Sequence, residues 1–288
     1  MNIKYFLIFL ILLAVTSFTL FSGCTGFAGN TPETSGKNSN VESIENLVPD
    51  ISNNASDVLY QVSTIDALLL GVYDGVLPVS DLKTHGDFGI GTFDGLEGEM
   101  LALDGNYYQI KTDGIAYPVS GEITTPFATV TYFEADETFR LEKSANLSEL
   151  EDFLDLNLPS ENLFYAVKVD GNFSYVKARS VPRQEKPYLQ LADAVSSQSV
   201  FEFENVSGTL VGFRTPEYVK GVNVPGYHLH FITENRSAGG HVLDLEMEKG
   251  DAALDITSIF LMELPASGDF YNAELGQNLQ EDLEKVEK

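Results

Sequence analysis

Apolar and polar positions change rhythm several times along the chain, and each change marks an expected element. Leu59, Val62, Ile65, Leu68 and Leu69 recur at helical spacing around a strand-like start. This predicts a short helix near residues 63–70, with Ser63 as its cap and Gly71 as its stop. From Gly89 to Phe133 the period drops to two in runs such as MLALDGNYYQIK, broken by Asp-Gly at 94–95, 104–105 and 113–114. Asp-Gly between alternating apolar residues signals a hairpin, so mostly antiparallel sheet is expected there. Residues 147–156, LSELEDFLDL, return to a one-sided helical stripe through Leu147, Leu150 and Leu154. Strands are expected again at LFYAVKVDG, FSYVKARSV, GTLVGFRTP, YHLHFITE, HVLDLEMEKG and ALDITSIFLMEL. Leu275, Leu279, Leu283 and Val286 then form the stripe of a terminal amphipathic helix. The sum is an α+β fold with few helices and two sheet-rich lobes of mixed or antiparallel strands, at 52–180 and 181–288.

The first 51 residues follow none of these patterns. Lys4 precedes an apolar run from Tyr5 to Phe21, and small residues then lead to Cys24, the single cysteine. This reads as an export signal over residues 1–23. The run is slightly long for a signal core and slightly short for a membrane span, so an uncleaved anchor stays open. Phe21-Ser22-Gly23-Cys24 resembles a lipobox, with Phe21 where Leu is usual. It predicts an exported chain held at the cell surface or membrane by a lipid on Cys24. Residues 24–51 are rich in Gly, Ser, Thr and Asn and have too little apolar content to pack, as in a flexible tether. A lone cysteine rules out a disulfide framework.

Charge narrows the partners. With 17 basic and 43 acidic residues the chain carries a net charge of -26. That argues against nucleic acid or an anionic membrane surface as main partner. An anionic small molecule would need a local positive centre, either a metal ion or an arginine.

Three of the four histidines lie in GYHLHFITENRSAGGH, residues 226–241. In a strand, His228 and His230 project from one face. TENRSAGG has loop composition, and HVLDLEM resumes alternation. A hairpin closed around that loop would bring His241 near Ile232, one pair along from His230 and on its face. Three nitrogens with an open fourth position make the donor set of a catalytic zinc centre rather than a closed structural one. Manganese, iron, nickel or copper would accept the same imidazoles. A bare His-x-His more often marks a solvated sheet face, and the third histidine at hairpin distance tips the balance toward a metal. His85, in LKTHGDFG, stands apart as a surface or structural residue. The chain has no His-Glu-x-x-His helix, no Gly-x-Ser-x-Gly elbow and no phosphate-binding glycine loop.

The stretches STIDALLLGVYDG, HGDFGIGTFDGLEGEMLALDGNYYQIKTDG and GYHLHFITENRSAGGHVLD together closely resemble the acetolactate decarboxylase family, from about Leu59 to near the C-terminus. The resemblance implies a zinc enzyme, a homodimer, that converts 2-acetolactate to acetoin and carbon dioxide, with the metal on His228, His230 and His241. It places the glutamate of the family's Gly-Glu-Met motif at Glu99, the threonine of Gly-Thr-Phe at Thr92 and an arginine at Arg179 in VKARSVP, with Arg183 nearby. A second glutamate falls on Glu287, and Glu281 and Glu284 compete for that role in the same acidic tail. Glu97 stands where the family usually carries Asp. Such groups suit the reaction: carbon dioxide leaves an enediolate whose negative oxygen a metal would stabilise, and a proton delivered to one face sets the chirality of acetoin. Glu99, Glu287 and Arg179 are candidates for that step, with roles unassigned. Two other readings stay beside it: an exported zinc hydrolase or lyase acting on another hydroxy-keto acid, and a non-catalytic metal- or ligand-binding lipoprotein.

Overall fold

The computed structural model describes residues 57–287, so the expected leader, lipobox and tether lie outside the described residues. The chain opens with β1 (Val58–Val62) and α1 (Ile65–Leu69), followed by β2 (Leu77–Pro78), α2 (Val79–Leu82) and β3 (Phe88–Thr92). A 3-10 turn at Asp94–Leu96 leads to β4 (Glu99–Leu103), β5 (Asn106–Ile110) and β6 (Ala116–Pro118). Then come β7 (Thr124–Thr125), β8 (Ala128–Thr131), β9 (Glu137–Leu141), β10 (Ala145–Asn146) and α3 (Leu147–Asp155). Three long strands dominate the remainder: β11 (Phe164–Ser180), β12 (Ser199–Thr215) after α4 (Leu191–Ala194), and β14 (Gly239–Thr257) after β13 (Gly226–Thr233). β15 (Ile259–Glu263) and α5 (Gln280–Glu287) close the chain.

The strands make two principal sheets, as an α+β fold with few helices requires. One has seven strands in the order β15-β1-β8-β3-β4-β5-β6, antiparallel except where β15 returns parallel to β1. The other runs β10-β14-β11-β12-β13 with β9 also on β14, all antiparallel. The start of β14 pairs with β13 while the rest pairs with β11, so this sheet curls back on itself at the histidines. Ile90, Leu101 and Ile110 of the first sheet share one apolar core with Ala166, Val211, Phe213 and Ile232 of the second. Burial of that shared face fixes one sheet against the other. On its other face the second sheet is covered by α3 through Leu150 and Leu154.

Several local expectations shift. Helix α1 is capped by Thr64, whose Oγ1 accepts from the Ala67 N–H at 3.2 Å, and not by Ser63, which sits at φ 63° one residue earlier. Gly71 does follow the helix at φ 86°. Asp104-Gly105 makes the expected tight hairpin between β4 and β5, with both residues in left-handed backbone. LFYAVKVDG and FSYVKARSV, by contrast, are one strand, because Asp170-Gly171 stays extended between two partners. Gly171 pairs with Gly208 on one side and Gly250 on the other, a row of three glycines across three strands. A Cβ on Gly208 would sit 2.4 Å from the Phe231 ring and one on Gly250 2.5 Å from the Asp170 carbonyl, so the row leaves no room for side chains. HVLDLEMEKG and ALDITSIFLMEL likewise merge through Gly250, β15 splitting off after Thr257. His85 is structural, stacked on Tyr60 with ring centroids 3.7 Å apart.

Candidate active site

The hairpin β13–β14 brings the three histidines together more tightly than loop composition suggests. His241 pairs directly with His230, and Ile232 pairs with Gly239 instead. The loop closes early: the Thr233 N–H bonds the Ala238 carbonyl at 2.9 Å, and the Asn235 carboxamide accepts from Thr233, Ser237 and the Ser237 N–H. Gly239 and Gly240 therefore belong to the strand. Gly240 lies at φ 156°, and a Cβ there would meet the Arg179 carbonyl at 2.6 Å. On its other side His241 pairs with Arg179 of β11, so the same residue is in register with a ligand partner and with the cation.

The imidazole centroids are 5.0–5.4 Å apart, and one nitrogen from each ring lies within 4.8 Å of the others. His230 Nδ1 is 2.8 Å from the Met100 carbonyl, which fixes that nitrogen as the donor and leaves Nε2 as a free lone pair. The Nε2 atoms of His230 and His241 are buried with no hydrogen-bond partner. Buried polar atoms without partners are costly, and two of them in one triad are suited to donate their lone pairs to a metal ion. Burial drives His228 down to about 3 and His230 and His241 well below the ordinary range, with the nearby Arg179 charge adding to each. All three imidazoles are therefore neutral at physiological pH, the form that binds a metal. The residues fit a metal ion.

Two carboxyl groups flank the triad. Glu99 begins β4; its Oε2 is 3.7 Å from His230 Nε2 and its Oε1 3.7 Å from Arg179 Nη1. Glu287 ends α5, with Oε2 3.8 Å from His241 Nε2 and 3.9 Å from His228 Nε2. Burial raises Glu99 to about 7; Arg179 and the Val181 N–H, which bonds its carboxylate, oppose the rise, and Glu287 adds to it. Burial likewise raises Glu287 to about 7 against the pull of Arg179. Both groups therefore hold or release a proton near neutrality. Arg179 is buried, donates from Nη2 to the Val286 carbonyl at 3.0 Å and keeps its Nε unpartnered. Thr92 faces Glu99 across β3–β4, and its hydroxyl donates to the Gly98 carbonyl at 2.8 Å.

All seven sequence-nominated residues line one small cavity of about 40 Å³. Of the three acidic candidates in the tail, Glu287 reaches it; Glu281 and Glu284 do not line it. The rest of its lining is mostly apolar and includes Leu68, Leu96, Phe127, Val181 and Val286. These residues, and the carbonyls of Met100 and Val286, escape a sequence reading because nothing distinguishes them from ordinary core. A lining that joins a few charged and imidazole groups to apolar side chains suits a small molecule that carries a carboxylate and oxygen functions together with alkyl groups.

The family model of alpha-acetolactate decarboxylase matches residues 59–277, a stretch that stops short of α5. Alpha-acetolactate decarboxylase of Bacillus licheniformis is 45% identical over 222 residues, 77% of this chain and 88% of that protein. The enzyme of that name from Methylococcus capsulatus is 45% identical over 229 residues, covering 80% of this chain and 88% of its own. The crystal structure of alpha-acetolactate decarboxylase from Bacillus subtilis strain 168 matches with a TM-score of 0.78 at 43% identity, over 80% of this chain and 99% of that one. With the family motifs extending over most of the chain and its histidines, Glu99 and Arg179 converging on one cavity, the chain belongs to the alpha-acetolactate decarboxylase family.

Proposed function

We propose that the protein is an acetolactate decarboxylase that uses zinc to convert 2-acetolactate to acetoin and carbon dioxide. The observation that carries this reading is the cavity itself: three neutral imidazoles, two of them with a buried nitrogen that has no hydrogen-bond partner, line it together with two buried carboxyl groups and one buried guanidinium. Held by His228, His230 and His241, zinc would supply Lewis-acid stabilisation of the negative oxygen that develops as carbon dioxide leaves. Arg179 is suited to hold the substrate carboxylate, since its charge is permanent and its Nε is unpartnered inside an acidic protein. Glu99 and Glu287 flank the triad, so a proton held by either can reach the enediolate carbon from a fixed direction. That fixed direction would select one acetoin enantiomer. The apolar part of the lining would receive the methyl groups.

The test is turnover and metal content on one preparation. Purified protein loaded with zinc, given racemic 2-acetolactate, is expected to release carbon dioxide and one enantiomer of acetoin. Tight metal binding without that release would overturn the reading and favour a metal-binding module or a lyase of another hydroxy-keto acid. Replacing zinc by manganese, iron, nickel or copper ranks the metals. Export through residues 1–23, lipid attachment at Cys24 and assembly as a homodimer belong to the same proposal. Metabolic labelling with palmitate and sedimentation of the mature chain check them. No helix among the described residues is long and apolar enough to cross a membrane.

A further inference from the structure

We infer that Arg183 is a positioning residue: it holds the turn that carries Thr92 and Glu99 against the strand end that carries Arg179. This deepens the decarboxylase reading and rests on it. Strand β3 ends at Thr92 and β4 begins at Glu99, so the turn between them decides where both side chains stand. That turn contains Gly95, Leu96 and Gly98 at φ 68°, 60° and 79°. A run with so much left-handed backbone, one residue of it leucine, does not support itself and must be held from outside.

The holding groups come from the segment that follows Arg179. Arg183 Nη1 donates to the Asp94 carbonyl at 2.8 Å and Nη2 to Asp94 Oδ2 at 2.7 Å. The other carboxylate oxygen of Asp94 accepts from the Gly75 N–H at 2.9 Å. The Gln184 N–H bonds the Gly95 carbonyl at 2.7 Å, and the Gly98 N–H bonds the Val181 carbonyl at 3.0 Å. The guanidinium lies over Gly95, where a Cβ would approach Arg183 Cζ to 3.0 Å. Glu97 is 3.7 Å from the same guanidinium and also pairs with Lys111 at 2.8 Å. One short stretch, 179–184, thus supplies the guanidinium beside Glu99, the Val181 N–H on the Glu99 carboxylate and the fork that grips the turn of Glu99.

As a charge pair, Arg183 and Asp94 are 45% and 37% exposed, and such pairs add little stability. Their value is geometric. A planar fork that binds a carbonyl and a carboxylate of one residue fixes distance and angle together, which a lysine ammonium does only in part. A misplacement of about 1 Å at a reacting group costs on the order of a hundredfold in rate.

The experiment compares wild type, Arg183→Ala, Arg183→Lys, Asp94→Ala and the Arg183→Ala/Asp94→Ala double variant, all zinc-loaded. Expected for Arg183→Ala is a kcat about tenfold to a hundredfold lower, with metal content and KM for 2-acetolactate close to wild type. Arg183→Lys should recover part of the loss, and the double variant should be no worse than the worse single one. Hydrogen exchange supplies a readout independent of turnover: in Arg183→Ala, amides at 95–98 and those of Val181, residue 183 and Gln184 should exchange roughly tenfold faster while those of β13 and β14 stay protected. Should Arg183→Ala fail to fold, Asp94→Asn is read by the same criteria. Wild-type kcat together with unchanged exchange at the turn would overturn the inference. A wild-type protein without turnover would instead remove the decarboxylase reading, and the exchange result would still decide whether Arg183 holds the turn.

Discussion

Glu99 stands beside His230 and Glu287 beside His228 and His241, and burial raises both carboxyl groups to about 7. Glu287→Gln removes an ionisable group without removing a ligand, so kcat should fall about 10²- to 10⁴-fold with zinc content unchanged. Steady-state kinetics beside metal analysis checks this. His241→Ala should lose the metal together with turnover, because its imidazole is one of the three donors. The side chains of this site were largely legible, the histidines because a His-x-His pair with a third close by is conspicuous in a chain with only four, the glutamates and arginine through the family motifs, since acidic residues are abundant here. The groups that aim them were not. The Met100 carbonyl, the Val181 N–H and the Val286 carbonyl are backbone atoms that any residue supplies, and only the fold selects them.

Elements were legible where the local signal had no competitor. Helix α3 carries a full capping box, Asn146 Oδ1 accepting from the Glu149 N–H at 2.9 Å and Glu149 returning to the Asn146 N–H at 3.0 Å. Asn146→Ala should therefore cost about 1 kcal/mol of stability in thermal unfolding and leave turnover unchanged. Two Asp-Gly pairs show where local signals fail. Asp104-Gly105 turns because its flanking strands pair with each other, whereas Asp170-Gly171 continues straight because strands on both sides already occupy its hydrogen bonds. Glycine there answers a need for close approach rather than for a turn. Gly208→Ala, forced against Phe231 and the Ile232 carbonyl, should destabilise by about 1–3 kcal/mol, readable as a lower denaturant midpoint at unchanged slope.

Across the whole molecule, burial sets the response to pH. Asp255, buried on β14, is raised from 3.8 to about 7, chiefly by desolvation, with the Glu134 N–H opposing. The folded state then binds the proton more tightly than the unfolded chain, so this group's contribution to stability falls as pH rises from about 4 to about 7. Asp255→Asn cannot ionise, and its stability advantage over wild type should grow across that interval and level off above it, as urea melts at several pH values would record. Periodicity named the strands but not their partition: β9, β10 and β11 lie before residue 181 yet join the sheet of the histidines, and β15 returns to β1, since no pattern in one strand names its neighbour. One feature of the triad reaches into time. His228 and His241 are 13 residues apart, whereas His230 meets Met100 across 130 residues and Arg179 meets Val286 across 107. Short loops close first. During refolding the three nitrogens should therefore gather before the carboxyl groups arrive, and a stopped-flow record should find zinc captured by the nascent hairpin ahead of the first turnover.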